Sequence, residues 1–260
     1  DYSSASISLS GEYQLGRLWL AMYRGSTREH DDPMMRTYLE DLIYRLSETS
    51  EVRDRRFEFL ILEDQSINAF AAPGGIIGIN LGMFLNTQKE GELASVMCHE
   101  LAHLSQRHYA RTQNQTSPLL NALMILGSIA VAAASRNPEA IMIAPAAMQQ
   151  MSINYTRSNE KEADRIGFNN LVKAGFDPND MTMMFQRMQD KYQNENSEQF
   201  SYLMTHPLPS ERLTDMRIRT DDLQKSSKQS YRDNIDFHFM QKRAEVWAEK
   251  DARKLVKKYK

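Results

Sequence analysis

His99-Glu100-Leu101-Ala102-His103, set in the run Gly91 to Thr112 (GELASVMCHELAHLSQRHYART), decides how the rest of this sequence is read. After Gly91 no proline or glycine interrupts the run, which predicts one continuous helix. Residues four apart on a helix share a face, roughly 6 Å apart along the axis, so His99 and His103 can aim two imidazole nitrogens at one ion. Glu100, turned by about 100° from His99, is poorly placed as a third ligand but can reach a water beside the ion. This is the spacing of metal-dependent peptide hydrolysis, with Glu100 as general base. Cys98 adjoins the motif, but neighbours on a helix diverge by the same ~100° and no orienting group accompanies it, which argues against a thiol nucleophile.

A two-histidine zinc site needs a third protein ligand and a position for water. The helix expected from Ser152 to Ala174 supplies a candidate pair, since Glu160 and Asp164 are also four apart and share a face with Ala163 and Gly167. Small residues beside two carboxylates suit a helix that approaches another closely. Glu160 is therefore assigned as third ligand to Zn2+, one per chain. Asp164 is expected behind it, accepting a hydrogen bond from the second ring nitrogen of His99 or His103. Glu162 points nearly opposite.

Outward from these helices the pattern is α+β and mostly helical. Ser10 and Gly25 bracket an amphipathic helix, and Asp32-Pro33 opens a second. Phe57 to Leu62, Ile67 to Ala72 and Ile76 to Ile79 read as three short strands, the last two joined by the turn Pro73-Gly74-Gly75. The strand ending at Pro73 suits a sheet edge, where unpaired backbone groups can take up an extended peptide. Asp177-Pro178 opens another helix, Asn194 to Gln199 is loop-like, Thr205 to Pro209 is a rigid turn before a short helix, and Asp236 to Lys260 reads as one charged helix. Between the two ligand helices lies an apolar hairpin at about 118–151. Its stretch 118–134 falls short of the ~20 residues that span a bilayer, which leaves buried core, a lid or peripheral membrane contact as readings.

The chain has 260 residues, 41% hydrophobic and 25% charged, enough for one sizeable core. A formal net charge of -2 gives no basic field for nucleic acid. The single cysteine excludes an internal disulfide. No Gly-x-Ser-x-Gly elbow, phosphate loop or dinucleotide fingerprint occurs. Asp1 to Ser10 lack the pattern of a secretory signal.

Several segments together give a resemblance. They are Asn68-Ala69-Phe70-Ala71 with Pro73-Gly74-Gly75, the His99 to His103 motif, Arg157-x-x-Glu160-x-x-Ala163-Asp164, and Thr205-His206-Pro207 followed by Arg212. The sequence resembles the zinc peptidase family that includes the heat-shock protease HtpX and the CAAX prenyl endopeptidase, in particular its bacterial periplasmic branch. Thr156 departs from it, where the family has serine. The resemblance implies a zincin-like (gluzincin) fold with a small sheet packed on the active-site helix, and a catalytic domain over 1–220. Residues 221–260 would form a charged helical extension leading into helical repeats. It also implies that Asn68, Ala69, Phe70 and Ala71 line the substrate cleft, and that Arg157 and Arg212 support the site. His206 becomes either a fourth zinc ligand or a donor to the oxyanion, whereas a lone histidine in a turn is otherwise a surface residue. His30, His108 and His238 keep that bland reading. The implied work is periplasmic quality control of outer-membrane proteins, with their assembly machinery as partner. Two rivals stand beside it: a zinc-retaining, chaperone-like binding module with little proteolysis, and a membrane-anchored protease.

Overall fold

The computed structural model describes residues 7–113, 156–194, 202–203, 206–226 and 234–259. The apolar hairpin at 118–151, the start of the helix expected from Ser152, the loop 195–199 and Thr205 lie outside them.

Two helices lead the chain, α1 (Leu9–Arg24) and α2 (Pro33–Glu48). Asp32 caps α2, accepting from the amides of Met34 and Met35 at 3.0 and 3.2 Å with proline at the first position, as expected. The cap of α1 is Ser8 rather than Ser10: its hydroxyl accepts from Gly11 N at 3.0 Å. Three strands follow, β1 (Glu58–Leu62), β2 (Ala69–Ala72) and β3 (Ile76–Asn80), in the order β1-β3-β2. β2 and β3 form the expected antiparallel hairpin, and β1 pairs parallel to β3 from Glu58↔Ile76 to Leu62↔Asn80. The turn between β2 and β3 needs its glycines, since Gly74 and Gly75 have φ of 78° and 80°. β2 is an edge strand, yet all four of its residues are buried.

After the short α3 (Leu81–Asn86) comes α4 (Glu90–Ser105), which carries the His99 motif. Every residue from Glu90 to His103 is buried, so α4 is the central helix rather than a surface one. The expected continuous helix breaks at Arg107, whose φ of 53° is left-handed, and α5 (His108–Gln113) sets off in a new direction. α6 (Arg157–Lys173) is capped by Thr156 and stopped by Gly175 at φ 83°. Then come α7 (Pro178–Asn194) and α8 (Ser210–Ser226); at 17 residues α8 is not the short helix expected. The C-terminal stretch is two helices, α9 (Ile235–Ala248) and α10 (Ala252–Tyr259), because Asp251 accepts from Arg253 N at 2.9 Å and caps a new start. α9 packs into the main core through Phe237, Met240 and Ala244. Its charged outer face hid that apolar stripe.

α4 and α6 touch at Gly167. A Cβ there would lie 3.0 Å from Cys98 O and from His99 N and Cα, all backbone atoms that cannot swing aside. Gly167→Ala is therefore expected to lower stability by about 1–3 kcal/mol, read as a drop in melting temperature, despite alanine's better helix propensity. A variant as stable as wild type would show that the two helices have slack.

Candidate active site

α4, α6 and the loop before α8 bring four side chains to one point. The metal-binding atoms offered by His99, His103, Glu160 and His206 lie within 4.8 Å of one another, and all four residues are buried. His99 Nε2 is 3.0 Å from His103 Nε2 and 3.4 Å from His206 Nδ1. Glu160 Oε1 lies 3.3 Å from His103 Nε2 and 3.0 Å from His206 Nδ1, and its Oε2 lies 3.5 Å from His99 Nε2. Bond lengths of about 2.0–2.1 Å in a tetrahedral site put neighbouring ligand atoms about 3.3 Å apart, so these spacings fit a metal ion of that geometry.

The surroundings hold these groups in place. Asp164 Oδ1 is 3.0 Å from His99 Nδ1. Burial opposes charge on His99, but Asp164 and Glu160 outweigh it and push its pKa up to about 9. Arg212 is buried and grips Asp164 with two bonds, Nε to Oδ2 at 2.6 Å and Nη2 to Oδ1 at 2.7 Å. Its Nη1 also reaches Glu160 Oε2 at 2.8 Å and Pro207 O at 2.6 Å, so one guanidinium ties α6 to the residue after His206. Burial raises the pKa of Glu160, but the neighbouring imidazoles of His206, His103 and His99 hold it well below the usual carboxylate range. Tyr202 stacks on the His206 ring at 4.6 Å.

Glu100 stands beside the cluster. Its Oε2 accepts from Ala71 N at 3.0 Å, while its buried Oε1 has no hydrogen-bond partner among the described residues and lies 3.6 Å from His206 Nε2. Burial raises the Glu100 pKa, partly offset by His206 and His99. A carboxylate with one oxygen held and the other bare is prepared to take up a proton. A cavity of about 50 Å³ is lined by Ala71, Ala72, His103 and Arg107, among others.

Two expectations need correction. Arg157 is exposed at the first position of α6, about one helical turn before Glu160 and at the solvent end of the helix, outside the cluster. Phe70 does not face the site: its ring packs 5.7 Å from both Trp19 and Tyr23, across Gly78, since successive strand side chains point to opposite faces. What β2 contributes to the site is the backbone of Ala71. Asn68 and Ala69 are buried beside it.

His108, read from sequence as unremarkable, is fully buried, with Nδ1 2.9 Å from His103 Nδ1 and Nε2 3.0 Å from Glu162 Oε2. Burial lowers its pKa to about 4 against the pull of Glu162. Only the break at Arg107 could have signalled it, and an arginine gives no hint of a left-handed turn.

A bare carboxylate next to three histidines and a second carboxylate is the site chemistry of a metallopeptidase. The chain belongs to peptidase family M48, whose pattern matches residues 33–220. It is 41% identical over 222 residues to the putative beta-barrel assembly-enhancing protease of Vibrio cholerae, covering 84% of this chain and 46% of that one. It is 36% identical over 237 residues to the beta-barrel assembly-enhancing protease of Escherichia coli K12, covering 89% and 48%. The mitochondrial metalloendopeptidase OMA1 of Schizosaccharomyces pombe is more distant, 27% identical over 197 residues, covering 74% and 56%. The chain spans about half the length of the curated relatives it matches. Among the described residues no helix is long and apolar enough to cross a membrane.

Proposed function

We propose that this chain is a zinc-dependent endopeptidase of the gluzincin type, catalytic over 1–220 with a helical extension from 221, and that at rest it is latent. His99, His103 and Glu160 would hold the metal, with His206 as a fourth donor. When bound, zinc supplies a Lewis acid that brings the pKa of a water toward ~7 and polarises a carbonyl. Glu100 Oε1 takes the proton of the attacking water and returns it to the leaving amine, while Ala71 N–H keeps Oε2 from turning. The bare Oε1 of Glu100, buried and facing the donor cluster, is the observation that carries this reading.

Substrates in this proposal are extended segments of misfolded or misassembled envelope proteins, laid beside the β2 edge. The names of the Vibrio cholerae and Escherichia coli relatives support outer-membrane protein assembly as the setting, and the sequence resemblance supports the periplasm. A second reading, a zinc-retaining chaperone-like module, draws on the complete burial of the site and the small cavity beside it.

Metal analysis with a casein digest tests the reading. Wild type is expected to carry about one zinc per chain. Glu160→Ala deletes a ligand and should lose metal on gel filtration, whereas Glu162→Ala, whose carboxylate lies outside the donor cluster, should keep it with affinity within about tenfold of wild type. Equal loss in both variants overturns the ligand assignment.

A further inference from the structure

We propose that His108 is a positioning residue that fixes the tautomer of His103, through a hydrogen-bond chain anchored on Glu162; this rests on the reading of His103 as a metal ligand. An ionised carboxylate only accepts hydrogen bonds, and Arg111 Nη1, 2.9 Å from Glu162 Oε2, favours its charged form. His108 Nε2–H therefore donates to Glu162 Oε2. A neutral imidazole with its proton on Nε2 presents a lone pair at Nδ1. That lone pair faces His103 Nδ1 at 2.9 Å, so His103 Nδ1–H donates to it and carries the ring's single proton there. His103 Nε2 is left bare, and it is the nitrogen that lies among the donors of His99 and Glu160. Asp164 does for His99 what His108 does for His103. The two histidines of the motif are thus held by different chemistry, a carboxylate on one side and a second imidazole on the other.

The backbone is bent to make this contact. On a continuous helix a residue five positions after His103 sits about 140° around the axis, facing away from it. The left-handed turn at Arg107 ends α4 and brings His108 back beneath the His103 ring. A non-glycine residue adopts that conformation only under strain. Side-chain contacts hold the turn: the Arg107 guanidinium is buried, with Nε 2.8 Å from Glu12 Oε2 of α1, and it also bonds Ile7 O.

The test replaces the acceptor while keeping, then removing, its chemistry. His108→Leu fills the space without accepting, whereas His108→Asn places a carbonyl oxygen close to where Nδ1 stood. Zinc affinity, measured by competition with a chelator in the whole chain, is expected to fall 10- to 100-fold in His108→Leu and to return to within a few-fold of wild type in His108→Asn. The visible spectrum of the cobalt(II)-substituted protein should shift in the first variant and recover in the second, with the metal-free melting temperature reported alongside. Unchanged affinity and spectrum in His108→Leu overturn the proposal, as does equal impairment in both variants, which would assign His108 to packing. Should the leucine variant not fold, Glu162→Ala carries the test: about tenfold weaker zinc binding supports the chain, and unchanged binding refutes it. A wild-type chain that takes up no zinc overturns the metal centre itself, and the proposal with it.

Discussion

Glu100→Gln is expected to lose at least ~100-fold in peptide hydrolysis while zinc content stays that of wild type. The substitution keeps the shape of the side chain and leaves a carbonyl oxygen able to accept from Ala71 N, so the contact between α4 and β2 survives. What disappears is the proton acceptor at Oε1. General-base catalysis contributes about 10²–10⁴ in rate, and a 100-fold loss corresponds to roughly 2.7 kcal/mol of barrier. No donor of the metal cluster is touched, because Glu100 is not among the four residues whose atoms converge. Turnover close to wild type in a preparation free of contaminating protease would remove Glu100 from the mechanism. Loss of zinc together with activity would move Glu100 into the metal shell.

The site was legible in the sequence to the extent that it is made of helices. His99 with His103 and Glu160 with Asp164 each follow from the four-residue repeat of a helix, and Gly167 announces the close approach that brings the two helices together. Features set by tertiary contacts were hidden. Arg107 lies in a run with no helix breaker, and its left-handed φ is held by Glu12, 95 residues away in sequence. His108 consequently reads from the sequence as an ordinary surface histidine. Phe70 was drawn into the cleft by the segment it belongs to, although strand alternation gives only one face of β2 to any neighbour and the ring belongs to the core beneath α1. At the C-terminus, charge obscured the buried stripe of α9, and Asp251 passed as one more helical residue rather than a cap.

His206→Ala separates two chemistries that resemblance alone left open, and it is expected to raise turnover. His206 Nδ1 stands 3.0 Å from Glu160 Oε1 and 3.4 Å from His99 Nε2, among the donors rather than out in a cleft where an oxyanion would form. Four protein donors would give a bound metal the closed arrangement of a structural site. The loop is well held there, by Arg212 Nη1 on Pro207 O at 2.6 Å, by His206 N on Tyr202 O at 2.8 Å and by the stacked Tyr202 ring. Removing the imidazole would open one position on a bound metal to water while Glu100 and the other three donors remain in the chain. If the closed form dominates about tenfold at rest, turnover should rise by roughly the same factor, equivalent to ~1.4 kcal/mol of preference for closure. Cobalt(II) spectra of the two proteins read the change in coordination independently of activity. The contrary outcome is equally definite: a fall of ~100-fold with the resting spectrum unchanged would make His206 a donor to the oxyanion, where losing one such group costs roughly 2.7–4 kcal/mol.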